Sequence, residues 1–229
     1  MISVITLHGI NTFHQDYADS LTRSLWDIPN IRTRSVYWGH HVKPYLDASR
    51  RRFYGRPIPW WRPISRLRRS FINFAQQSME YSLLYLEPDI QRKILDTIEY
   101  AIREEVRAGS DQFVFVAHSL GTMAIYDTLV RMQEADRLPW GETLDIITMG
   151  CPIAIFPHSD IRKVNFKNQW LNLLDVEDAI ARPLSPLDLR VSDKIISTGG
   201  ILSAHEGYWN SSTVHGIVHE CLDKETRNA

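Results

Sequence analysis

A serine set between small residues, a group of acids and a late histidine are the residues of this 229-residue chain best suited to chemistry. The serine is Ser119, in the run Ala117-His118-Ser119-Leu120-Gly121. Its hydroxyl is a weak nucleophile near neutral pH until a base takes the proton. Histidine fills that role because it can accept and return a proton in this range, and a carboxylate usually holds it in the right tautomer. Three acids, Asp175, Glu177 and Asp178, follow the apolar run Trp170 to Leu174. Asp178 ranks first, because Ala179-Ile180-Ala181 makes a small apolar turn that would carry its carboxylate inward. Asp175 ranks second and Glu177 third, and the plainer role for any of them is a helix cap or loop carboxylate.

Of nine histidines, only His205, His215 and His219 come after these acids. His205 sits in a stretch between Gly199-Gly200 and the last helical segment. His215 and His219 have the i, i+4 spacing of a metal pair, but with no third ligand beside them a solvated helix face is the better reading. His8 and His118 belong to motifs of their own and are expected to support the site. His14, His40, His41 and His158 come too early or lie in other segments.

Such residues act only if the backbone brings them together. Phe113 to Val116 is a continuous apolar run, as in a strand buried on both faces. From Met123 onward the apolar positions recur at helical spacing, so strand gives way to helix at Ser119. A sharp strand-to-helix turn strains the backbone, requires small neighbours two residues away on each side, and projects the hydroxyl from the sheet. The helix start also aims free N–H groups at that point, where negative charge can be received. Ile2 to Leu7 forms a strand ending in His8-Gly9-Ile10, where glycine permits a bend that turns the next N–H towards the same place. Further strands are expected at Ile31 to Trp38, Thr143 to Met149, Trp170 to Leu174 and, less regularly, Val191 to Thr198. Helices are expected at Tyr17 to Trp26, Asp89 to Arg107 with Gly109 as its cap, and Ser211 to Leu222. Strands alternating with helices imply a parallel sheet.

Residues 39–88 break the rhythm. Positions 40 to 69 carry nine Lys/Arg against the single acid Asp47, a local charge of +8 in a chain whose net charge is −1. Phe53, Tyr54, Trp60 and Trp61 are interleaved with them, and an apolar stripe from Ile64 to Leu86 marks a long helix ended by Pro88. An insertion of this kind most often caps an active site. Its aromatics would form an apolar wall, with Trp60 and Trp61 as substrate contacts, and its arginines would meet an anionic headgroup or membrane surface. Nucleic-acid binding is the weaker use of the same residues.

Composition is that of a soluble globular protein: 44% hydrophobic, 23% charged. Two cysteines, Cys151 and Cys221, make neither a disulfide framework nor a zinc site. The first residues run directly into a strand, so a cytoplasmic protein is expected. No dinucleotide fingerprint, phosphate loop or metal cluster is found, and no cofactor is expected.

His8-Gly9, Ala117-His118-Ser119-Leu120-Gly121, Gly150-Cys151-Pro152, Asn172 with Asp175 and Asp178, and His205 with Tyr208-Trp209 occur in this order. Together they resemble the α/β-hydrolase superfamily, in its serine esterase and lipase-like branches. The resemblance spans nearly the whole chain outside residues 39–88, with Ala117 in place of a usual glycine and Cys151 where serine is common. It implies one α/β-hydrolase domain over residues 1–229, a mostly parallel sheet flanked by helices, with residues 39–88 as a cap. It implies Ser119 as nucleophile, His205 as base, Asp178 as orienting acid, and the backbone N–H groups of Ile10 and Leu120 as oxyanion hole. The reaction implied is cleavage of a carboxylic ester, of a lipid or another apolar acyl substrate. Dehalogenases and epoxide hydrolases of this fold carry aspartate at the elbow and are set aside. Two alternatives stay open: a hydrolase-like scaffold that binds through its basic insertion, and an acyltransferase.

Overall fold

The computed structural model describes residues 1–10, 12, 14–47, 80, 82–138, 144–155, 161–164, 166, 169–200 and 204–228. Phe53, Tyr54, Trp60, Trp61 and most of the expected helix from Ile64 to Leu86 lie outside the described residues.

Six strands form one sheet: β1 (Ile2–Leu7), β2 (Ile31–Val36), β3 (Gln112–His118), β4 (Leu144–Met149), β5 (Gln169–Asp175) and β6 (Val191–Ile196). Their order is β2-β1-β3-β4-β5-β6, with every pairing parallel. Helices among the described residues include α1 (Asp19–Ser24), α2 (Pro88–Arg107), α3 (Leu120–Glu134) and α4 (Ser212–Asn228).

Alternation along the strands divides the core in two. Ile5, Leu7, Phe113, Phe115, Ala117, Ile146 and Trp170 pack with the buried stripe of α2 and with α3. Val4, Val114, Val116, Ile147, Met149 and Leu173 pack with Leu21 of α1 and with Val214, Ile217 and Val218 of α4. Period-2 side chains on strands covered on both faces produce this layering, and they explain why β3 shows an unbroken apolar run in sequence.

Pro88 ends the helical run before it, as expected, and also opens α2, where its missing N–H has no partner to lose. Two expectations need correction. Tyr17 lies before α1, and its hydroxyl donates to Thr6 O at 2.6 Å, tying the strand end down. Asp175 is the last residue of β5, so it does not stand on the following loop. As expected, Gly109 follows α2 with φ +91, and its N–H and that of Ser110 close the helix end.

The helix α2 also carries two buried acids, Glu99 and Glu105. Glu105 accepts from Ser3 Oγ (2.9 Å), Arg32 Nε (2.9 Å) and Arg34 Nη1 (3.2 Å), joining α2 to β1 and the edge strand β2. Glu99 accepts from Arg103 (2.6 Å), Arg131 (2.7 Å) and Arg137 (2.9 Å), joining α2 to α3. Among the described residues no helix is long and apolar enough to cross a membrane.

Candidate active site

From β1 the chain moves outward to β2, then returns across β1 to build β3, β4, β5 and β6 on the other side. The winding therefore reverses between β1 and β3, and crevices at the carboxyl ends of strands form at such a point. Leu7 pairs with Ala117 in register, which sets His8-Gly9 beside His118-Ser119.

Ser119 has φ 53 and ψ −129, a conformation that costs an ordinary residue strain and is kept only when the surroundings enforce it. The enforcing bonds are visible. Ser119 N–H donates to Met149 O at 2.9 Å, and Ser119 O accepts from Thr122 N (2.9 Å) and Thr122 Oγ1 (2.6 Å). A side chain at Gly121 would bring its Cβ to 2.4 Å from His8 O, so the position two residues after the serine has no room. One at Gly9 would meet Ser119 Cβ at 2.4 Å and Oγ at 3.0 Å, which measures how closely the first strand's turn approaches the hydroxyl. Ile10 follows directly. Leu120 opens α3, where the N–H has no carbonyl of its own helix to bond.

His205 Nε2 lies 2.9 Å from Ser119 Oγ, and its Nδ1 lies 2.9 and 3.0 Å from the two oxygens of Asp178. A carboxylate can only accept, so the ring proton sits on Nδ1 and the Nε2 lone pair faces the serine hydroxyl. Asp178 is buried and also accepts from Ile180 N–H (2.8 Å) and the Tyr208 hydroxyl (3.1 Å). Burial alone would raise its carboxyl above the usual range. The hydrogen bond and charge of His205, followed by the donors Ile180 and Tyr208, outweigh burial and hold it below that range. Gly150, at φ +56, lies under this pair: a Cβ there would come within 2.9 Å of Asp178 Oδ2 and 3.1 Å of His205 Nδ1. The Gly150-Cys151 step after β4 is thus a cradle for the acid and the base. Cys151 is buried, its thiol pushed up to about 12 by burial, and it donates to Thr122 Oγ1 at 3.2 Å.

The three acids now separate. Asp178 meets His205. Asp175 accepts from Glu177 N–H (2.9 Å) through Oδ1, and from Thr198 N–H (2.6 Å) and Thr198 Oγ1 (2.9 Å) through Oδ2. It thereby fixes the start of the segment that leads to His205. Glu177 is exposed.

Two further histidines frame the site. His8 accepts the Trp38 N–H on Nε2 at 3.0 Å, so its proton is on Nδ1 and donates to Gly9 O at 2.7 Å. His118 donates from Nε2 to His205 O at 2.7 Å, with the two rings 4.7 Å apart. Burial lowers both to about 3, so each stays neutral and acts as a fixed donor and spacer. His215 and His219 are half-buried; His215 Nε2 lies 2.9 Å from Trp209 O, and His219 Nε2 lies 3.3 Å from Ser24 Oγ. The pair faces α1 and its neighbouring loop, which differs from the solvated face expected.

Residue types alone did not mark out Thr122, Gly150 or the Tyr208 hydroxyl. The Gly150-Cys151-Pro152 and Tyr208-Trp209 motifs placed the latter two near the site but gave no contact.

The chain is similar in structure to the product of the gene lin2722 from Listeria innocua, with a TM-score of 0.50 and 10% identity over 98% of this chain and 94% of that one. The fold is of the α/β-hydrolase type. ClbQ from the colibactin NRPS/PKS pathway aligns over 100% of this chain and 99% of its own, at 9% identity and a TM-score of 0.49. No protein-family model and no curated protein sequence matches the chain. At these identities the likeness is one of architecture, and the chemistry has to be argued from the side chains.

Proposed function

We propose that the chain is a cofactor-independent serine hydrolase that cleaves a carboxylic ester through an acyl-enzyme on Ser119. One observation carries the reading. A strained serine at a strand-to-helix turn has its Oγ 2.9 Å from His205 Nε2, while His205 Nδ1 is 2.9 Å from a buried carboxylate. In this mechanism Ser119 Oγ attacks the ester carbonyl as His205 Nε2 takes its proton. The oxyanion that forms is met by the N–H groups of Leu120 and Ile10, whose places at the start of α3 and in the His8-Gly9-Ile10 turn suit that task. The imidazolium, held by Asp178, returns the proton to the departing alcohol oxygen and leaves the acyl group on Ser119. Water then repeats the cycle in reverse sense: His205 takes its proton, the hydroxyl oxygen joins the acyl carbon, and Ser119 is released with its hydrogen.

The substrate we favour is lipid-like, an apolar acyl chain with an anionic headgroup. What supports it is the sequence of residues 39–88, with Trp60 and Trp61 beside a local charge of +8. A fluorophosphonate probe tests the chemistry: it should label the wild type and leave Ser119→Ala unlabelled, and labelling that survives the substitution would remove Ser119 from the mechanism. Esters of graded acyl length, with Ser119→Ala as blank, test the substrate class; rates that fall as the chain lengthens would refute the lipid assignment.

A further inference from the structure

Tyr208 stands next to the proposed reaction without touching its reacting atoms. Its side chain is completely buried. Its oxygen accepts the backbone N–H of Asp175 at 2.9 Å, and its proton is donated to Asp178 Oδ2 at 3.1 Å. The direction is unambiguous, because an amide only donates and a carboxylate only accepts. The phenol thus spans the end of β5 and the loop that follows it, from a turn three residues beyond His205.

The surroundings limit what else could do this work. Asp175 is already committed to Glu177 and Thr198 through its carboxylate. Thr198 O is packed against Gly207, where a Cβ would lie 2.5 Å away, so the segment entering Tyr208 has its position set at that contact as well. His118 from β3 donates to the His205 carbonyl and acts on Asp178 through charge. Among the described residues, His118, Ser119, the Asp175 end of β5, the Ile180 N–H and Tyr208 surround the Asp178–His205 pair; Ile180 N–H and the Tyr208 hydroxyl donate to the acid, and of these two the hydroxyl is the side-chain donor.

We propose that Tyr208 is a positioning residue that sets how strongly Asp178 holds His205, by sharing the carboxylate charge through a hydroxyl anchored on the Asp175 amide. The idea rests on the hydrolase reading above for its catalytic consequence. A carboxylate oxygen that accepts a phenol hydrogen bond has less charge to offer the imidazole, so removing the phenol strengthens the Asp178–His205 interaction even as it loosens the geometry. A purely structural tyrosine would do only the second.

The test compares Tyr208→Phe with a ring-fluorinated tyrosine placed at 208, a stronger donor of the same shape. Two readouts serve: the pH dependence of fluorophosphonate labelling, and the downfield proton resonance of His205 Nδ1–H. Tyr208→Phe should slow labelling by about 5- to 50-fold, move its acid limb up by about half a pH unit, and carry the resonance further downfield. The fluorinated residue should move limb and resonance the opposite way. If both variants leave limb and resonance where the wild type has them, or shift them in the same direction, the proposal is wrong. A wild type that the probe never labels would refute the hydrolase reading instead, and the His205 resonance would still decide the role of Tyr208.

Discussion

Two regions of this molecule hold buried acids whose partners differ in kind. Along α2, Glu99 and Glu105 are each met by arginines. At the carboxyl edge of the sheet, Asp178 is met by an imidazole, a backbone N–H and a phenol. Arginine keeps its charge at any pH a protein meets, so the α2 acids form permanent braces. Histidine gains and loses its proton in the working range, and the neutral donors around Asp178 hold the carboxylate without supplying a competing full charge. A site that must change charge during a reaction is built from partners that can change; a strut is built from partners that cannot.

The widest separation between the regions should come from Asp178→Asn. It keeps the shape and loses the charge, and should cut fluorophosphonate labelling by about 10⁴-fold with little loss of stability, as expected for a base in the wrong tautomer. A fall of less than tenfold would mean that Asp178 is a brace like the others. Next in size, Glu105→Ala should lower stability by about 3 kcal/mol, because it removes three hydrogen bonds that join α2 to β1 and β2, while the folded fraction labels at the wild-type rate. Denaturation midpoints and labelling measured on the same samples check this, and a matching loss of rate would break the division between the two regions.

Acid should expose a third class, the neutral buried histidines. Folded His8 and His118 titrate near 3 against an ordinary 6.5, so between those values the unfolded chain binds more protons. Their contribution is complete above pH 6.5 and is lost as pH falls towards 3, at up to about 1.4 kcal/mol per pH unit for each. Urea midpoints at pH 7.5 and 5.5 should therefore differ by about 2 kcal/mol or more in stability, and equal midpoints would show that the rings are not buried neutral. The smallest effect is reserved for Asp175→Asn, about 1 to 2 kcal/mol in stability with labelling reduced less than tenfold, since one carboxylate oxygen is retained for Thr198. Labelling as weak as that of Asp178→Asn would reverse the roles of the two aspartates.

The catalytic candidates were legible in sequence because each stands at a local change of pattern. Ser119 ends an apolar run and begins a helix; His8-Gly9 ends another run; Asp178 precedes a small apolar turn. Chain order then left three histidines, and the stretch between Gly199-Gly200 and the last helix singled out His205. What was not legible depends on contacts across the chain. Glu105 meets Ser3 only because β1 and α2 pack together over a separation of 102 residues, and nothing near either residue announces the other. Asp175 looked like a loop acid because the apolar pattern stops at Leu174, whereas pairing with Ile196 carries the strand one residue further. Pro88 marked the end of one helix correctly, and the same residue suits the first turn of the next.

The sheet order has a kinetic consequence. Ser119 follows β3, which has two strands on one side and three on the other, whereas His205 follows the edge strand β6 and Asp178 its neighbour β5. Local opening begins where a strand has a neighbour on only one side, and it proceeds inward. Amide hydrogens of β6 should exchange with solvent well before those of β3, and His205 should leave the proposed site while Ser119 is still in place. Mild denaturant would then silence the protein reversibly, with the central strands intact and ready to receive the histidine again.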